Sequence, residues 1–127
     1  MRRVVVDMQS VLFADAIAKA LKDFDSDFDV LQSESPEKTT DVCGYVNANV
    51  LIMEVTAYSP WKLEERIKIR DKLKETNPGC KIVLIVDENT EKKLADKVRL
   101  AKKDGLIDGF LYGSVSADYL SAVIDTL

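Results

Sequence analysis

Asn49-Val50-Leu51-Ile52-Met53-Glu54-Val55 is the stretch on which the fold is decided. An unbroken apolar run with Val and Ile in it, ahead of a helix start at Ser59-Pro60, reads as a strand buried on both faces. Glu54 stands at the C-terminal end of that strand. In an open α/β sheet this edge is where ligands and chemistry gather, so the carboxylate is the first candidate for function.

To the N-terminal side, Arg3 to Asp7 predicts a short β-branched strand. Val11 to Phe24 predicts a helix with Leu12, Phe13, Ala16, Ile17, Ala20, Leu21 and Phe24 on one face and Ser10 as its cap. Phe28 to Leu31 is a second strand, and Ser35-Pro36 opens a helix to about Val46, weakened by Gly44 and the Thr39-Thr40 pair. To the C-terminal side, the Thr56-Ala57-Tyr58 loop leads to Ser59 as a cap and Pro60 as the first residue of a helix reaching about Thr76. Its apolar residues include Trp61, Leu63, Ile67, Ile69 and Leu73, and Asn77-Pro78-Gly79 stops it. Lys81 to Val86 is a fourth strand. Thr90 caps a helix to Lys103 that ends at Asp104-Gly105, Gly109 to Tyr112 is a fifth strand, and Ser116 caps a last helix through Tyr119, Leu120, Val123 and Ile124. Strands alternating with helices at these lengths imply a parallel sheet with right-handed crossovers and helices on both faces. Nothing resembling a repeat or linker interrupts residues 1–127, so one domain is expected.

Composition narrows the functional classes. With 127 residues, 46% of them hydrophobic, the chain is long enough to bury a core without disulfides or metals. Its 18 basic residues are interspersed with 22 acidic ones, which leaves no basic face for direct nucleic-acid binding. The chain contains no histidine, and Cys43 and Cys80 lack CxxC spacing, so a Cys/His zinc site is excluded and both cysteines read as small buried hydrophobes. Met1-Arg2-Arg3 leads into only three valines, too few for a signal segment or a membrane span, so a cytoplasmic protein is expected. There is no G-x-G-x-x-G, no G-x-x-x-x-G-K-[ST] and no G-x-S-x-G, and no enzyme activity is expected.

Two stretches carry a resemblance. Val50 to Val55 is similar to the strand that in bacterial response regulators reads Leu-Leu-Asp-Val-x-Met-Pro. Asp108-Gly109-Phe110-Leu111-Tyr112-Gly113-Ser114 is similar to their Asp-Gly-Tyr-Leu-Leu-Lys-Asp. The chain thus resembles, over its whole length, a CheY-like receiver domain of two-component phosphorelay signalling. The resemblance implies a flavodoxin-like (βα)5 three-layer sandwich with a parallel five-stranded sheet of order 2-1-3-4-5.

It also implies a site whose residues have been exchanged. Glu54 falls on the phosphoacceptor aspartate, and its oxygens reach about 1.5 Å further, a displacement that matters to in-line transfer. The acidic pair that binds Mg²⁺ falls on Asp7 and Met8 or on Met8 and Gln9, depending on register. In either register at most Asp7 is left, as a solvated strand end or a remnant cation ligand. Val86 replaces the Thr/Ser hydroxyl, with Asp87-Glu88 behind it; Gly113 replaces the lysine; and Phe110 falls on the aromatic that changes rotamer on signalling. No cofactor is expected, and Mg²⁺ binding should be weak. The fourth helix is rich in charge (Lys92, Lys93, Asp96, Lys97, Arg99, Lys102, Lys103), and its connection is about one turn longer than the usual spacing. The expectation is a degenerate pseudo-receiver that signals through a protein partner or a homodimer on the face of the fourth helix, fifth strand and fifth helix. A DNA-binding output domain beyond Leu127 is a possible attachment. The alternative is a flavodoxin-like domain that binds a small ligand at the strand ends.

Overall fold

The structure, a computed structural model, describes residues 1–89 and 91–127. The strands are β1 (Arg2–Asp7), β2 (Phe28–Gln32), β3 (Val50–Glu54), β4 (Lys81–Val86) and β5 (Gly109–Tyr112). The helices are α1 (Val11–Phe24), α2 (Thr39–Val46), α3 (Leu63–Thr76), α4 (Lys92–Lys103) and α5 (Ala117–Asp125), with a 3-10 turn at Pro36–Lys38. The strands pair in parallel in the order β2-β1-β3-β4-β5, a flavodoxin-like arrangement.

Side chains on a strand alternate between faces, and that alternation builds two core layers. Val5, Leu51, Met53, Ile82, Leu84 and Val86 lie on the face covered by α2, α3 and α4. Val4, Val6, Val50, Ile52, Val83 and Ile85 lie on the opposite face, beneath α1 and α5. The register sets Asp7 beside Met53, Glu54 beside Ile85 and Val86 beside Tyr112. The C-terminal ends of β1, β3, β4 and β5 therefore form one continuous edge.

Caps at Ser10 and Ser116 are present: their hydroxyls accept from Phe13 N–H at 3.2 Å and Tyr119 N–H at 3.1 Å. Gly105, just past α4, takes φ +79°, a conformation that favours glycine at a helix end. Thr90, expected to cap α4, lies outside the described residues; the first helical residue is Lys92.

Three expectations need correction. First, α1 presents Phe13, Ala14, Ile17 and Leu21 to the core, whereas Leu12 is 81% exposed and Ala16 and Phe24 also face solvent. Second, the segment expected to open as one helix at Ser35-Pro36 starts as a 3-10 turn and becomes α-helical only at Thr39. Third, Ser59-Pro60, with a cis peptide bond, belongs to a loop rather than to the start of α3. The Ser59 hydroxyl donates to Glu65 at 2.7 Å instead of capping, and Thr56 N–H closes the loop on Trp61 C=O at 2.9 Å. The helix begins at Leu63, with Glu64 and Glu65 suiting the positive end of its dipole. Trp61 accordingly sits in the loop.

Candidate functional site

Strand parity separates the two acids of the site. Asp7 shares the parity of Val5 and points under α2 and α3, whereas Glu54 shares that of Val50 and Ile52 and points toward α1. Asp7 is not a solvated strand end: it is 1% exposed, beneath an arginine that is 0% exposed. That arginine is Arg66, on the inner face of α3 one heptad before Leu73.

All three guanidinium nitrogens of Arg66 are used. Nη1 donates to Asp7 Oδ2 at 2.7 Å, Nη2 donates to Asp7 main-chain O at 3.2 Å, and Nε donates to Glu54 main-chain O at 2.8 Å. Nη2 also lies 3.4 Å from Oδ1. The planar fork thus ties together the ends of β1 and β3, which a lysine could not do from one point charge. Thr39, the first residue of α2, donates its hydroxyl to Asp7 Oδ2 at 2.6 Å, and Ser33 Oγ stands 2.8 Å from Thr39 Oγ1. The buried carboxylate is therefore charge-paired and hydrogen-bonded, the condition under which a buried ion is tolerated.

These residues do not fit Mg²⁺. The ion requires near-octahedral oxygen donors, yet Asp7 Oδ2 is already held by two donors, the Thr39 hydroxyl and, at 2.7 Å, the Arg66 guanidinium. Met8, the neighbouring position, is a buried thioether. Gln9, the other residue of the expected acidic pair, contributes only its backbone N–H, which Glu54 Oε1 accepts at 2.8 Å. Among the described residues no group of three Asp, Glu, His or Cys is arranged to hold a metal ion.

Two of the exchanged positions, Glu54 and Gly113, line a cleft of about 330 Å³ together with Phe13, Ile85, Asp87, Asn89 and Ser114. Val86, the Thr/Ser equivalent, is buried on the opposite face and offers no hydroxyl. Gly113 contributes a backbone N–H to Val86 C=O at 3.0 Å where the resemblance places an ammonium. Glu88 accepts from Ser114 Oγ at 2.6 Å. The lining of this cleft holds two carboxylates, Glu54 and Asp87, and among the described residues that form it no cationic side chain.

Phe110, the aromatic-switch candidate, is half-buried and meets Tyr112 edge-on, ring centroids 5.7 Å apart. Tyr112 Oη accepts from Arg99 Nη1 at 2.6 Å, which links β5 to α4. With Val115, Tyr119, Val123 and Leu127 the two rings line an open apolar groove of about 610 Å³. Lys93 and Lys97 instead line a cleft between α3 and α4, away from that groove.

Arg66 is the residue that sequence reasoning missed. The signal was present, because Leu63, Arg66, Arg70 and Leu73 recur at helical spacing, and a charged residue on a core-facing stripe requires a buried partner.

No family model matches the chain, and no curated protein matches it. Solved structures do. The chain is similar to a response regulator from Thermotoga maritima, at 16% identity and TM-score 0.76, over 99% of this chain and 96% of that one. It is similar to a CheY-like protein (TadZ) from Pseudomonas aeruginosa PAO1, at 18% identity and TM-score 0.75, over 99% and 98%. A DNA-binding response regulator of the LuxR family from Staphylococcus aureus matches at 12% identity and TM-score 0.74, over 99% and 98%. The fold is that of CheY-like response-regulator receiver domains. Among the described residues no helix is long and apolar enough to cross a membrane.

Proposed function

We propose that this chain is a non-enzymatic, receiver-type regulatory module that works without phosphorylation and signals by protein–protein contact. The observation that carries this reading is the Asp7–Arg66 pair. A built-in guanidinium takes up the charge of the one acid left from a metal-binding pair and joins the ends of β1 and β3 permanently. A receiver uses a transient cation and a transient phosphoryl group at this edge, so the module rests in a single electrostatic state, and its output depends on who docks. The expected compartment is the cytoplasm, and an attached output domain would be a natural reader of its pairing.

Incubation with acetyl phosphate and Mg²⁺ is the direct test, with intact mass as the readout. No phosphoryl adduct is expected, and Mg²⁺ below the millimolar range should leave Trp61 fluorescence unchanged, because one already-paired carboxylate does not dehydrate that ion. Trp61 lines a cleft together with Asp7 and Gln9 and is placed to report the event. An adduct that Glu54→Ala abolishes would sink the proposal.

The docking face proposed is the apolar groove of β5 and α5, and the occupant is a second copy, since two-fold pairing is the commonest assembly of soluble chains. Tyr119 is 57% exposed at its rim. Tyr119→Asp should leave the fold intact and weaken the dimer by about 10-fold, the order expected when an aromatic contact at an interface is replaced by a charge. Sedimentation showing a monomer for the parent chain at high concentration would refute the pairing.

Small-ligand binding has one observation in its favour, a cleft of about 370 Å³ at the ends of β1 and β2 lined by Asp7, Gln32, Ser33, Ser35 and Trp61.

A further inference from the structure

We propose that the outer edge of β2, with the groove between it and α2, is a docking site for an extended, basic segment of another protein, which joins the sheet as an added strand. The site is separate from the pairing groove at β5 and α5, because β2 and β5 are opposite edges of the sheet.

Charge is the first argument. Residues 25–47, which hold β2 and α2, contain six acids (Asp25, Asp27, Asp29, Glu34, Glu37 and Asp41) and a single base, Lys38. Six acids against one base make −5, more than the −4 of the whole chain, so the net charge of the protein is concentrated on this edge. Asp25 and Asp27 pair with Arg2 at 2.9 and 3.4 Å, Asp29 with Arg3 at 3.8 Å, and Glu34 with Lys38 at 3.1 Å. That leaves Glu37 and Asp41 without an ion pair among the described residues.

Sheet geometry is the second. Arg2 N–H donates to Asp27 C=O at 3.0 Å, and Ser33 N–H donates to Val6 C=O at 2.9 Å. Alternate residues of a strand in a parallel ladder bond to the same neighbour. Asp27, Asp29, Leu31 and Ser33 therefore serve β1, and the backbone N–H and C=O groups of Val30 and Gln32 point away from it. Edge strands are commonly blunted by Lys, Pro or a bulge. Here Phe28–Gln32 contains neither Lys nor Pro, its register with β1 is unbroken, and its one charge, Asp29, is turned onto Arg3.

The groove is the third. Leu31 is paired with Val5 and so lies on the α2 side of the sheet. With Val42, Tyr45 and Val46 of α2 it lines a groove of about 670 Å³, bordered by Glu34 and Asp41; Lys38 lines it too, its charge taken up by Glu34. Tyr45 is 93% exposed, and Asp41 stands one helical turn before it on the same face. A carboxylate beside an open aromatic ring suits a lysine or arginine, which gains an ion pair and a cation–π contact together. A strand added to β2 would set every second side chain over this groove. The segment that fits presents two apolar residues between two basic ones on that face, while its main chain bonds Val30 and Gln32.

The test titrates the full chain with the peptide acetyl-Lys-Thr-Val-Thr-Val-Thr-Lys-amide, one face of which reads Lys, Val, Val, Lys. Calorimetry gives the affinity and NMR the hydrogen exchange of backbone amides. Saturable binding with Kd below about 1 mM is expected, weakened by salt, with slower exchange at the Val30 and Gln32 amides. Replacing both lysines of the peptide by glutamate should weaken binding by about 10-fold or more. Asp41→Lys should weaken it by about 5-fold and Tyr45→Ala by about 10-fold, both positions being exposed. Absence of saturation, saturation without added protection at Val30 and Gln32, or equal binding of the glutamate peptide would each overturn the proposal. If a variant does not fold, the two peptides on the parent chain decide.

Discussion

Arg66→Ala is expected to destabilise the domain by about 3–5 kcal/mol, the usual cost of leaving a buried charge without its partner. Against a total stability of roughly 5–15 kcal/mol, that loss brings a chain of this kind close to unfolding. The size follows from the geometry. Asp7 is 1% exposed, and Thr39 is the other side chain that donates to its carboxylate. Removing the guanidinium also leaves Glu54 main-chain O, at 2.8 Å from Nε, without that donor. Arg66→Lys should recover only part of the loss, because an ammonium cannot bridge Asp7 and the Glu54 carbonyl together. Asp7→Leu combined with Arg66→Met should recover most of it, since a buried pair exchanged for apolar residues of similar size is often neutral or stabilising. Urea denaturation of the three variants is the measurement. A loss below about 1 kcal/mol for Arg66→Ala would mean that Asp7 relaxes to solvent, and the electrostatic reading of the site would then fail.

The same pair marks where the sequence could be read and where it could not. Strand positions were legible because β3 and β4 are apolar almost throughout, as strands buried on both faces must be. The paired edge at Asp7 was legible in principle: Val4, Val5 and Val6 are buried on alternating faces, and an acid following them without a turn residue falls inside the sheet. Ser59-Pro60 was misread for a different reason. Ser-Pro signals a helix start and a turn equally well, and the choice was made by Ser59 bonding Glu65, a contact that spans the loop.

Leucine positions give the second large effect, because they separate what periodicity tells from what packing decides. Leu84, in the middle of β4, is 0% exposed in the layer under α2, α3 and α4. Leu12 was expected on the inner face of α1 by its spacing, yet it is 81% exposed. The α1 stripe is rotated so that Ala14 faces the sheet, and a small residue there lets the helix lie close to β1. Leu84→Ala should therefore cost about 2–5 kcal/mol, since transfer free energy is lost and an interior strand paired on both sides leaves little room for the cavity to collapse. Leu12→Ala should change stability by less than about 0.5 kcal/mol, as expected of an exposed helical position gaining the best helix former. Paired denaturation curves with unchanged slopes would establish the contrast. Equal losses at the two positions would place Leu12 in a buried interface, and the natural explanation would be a partner covering the exposed start of α1, where Val11 is also 68% exposed.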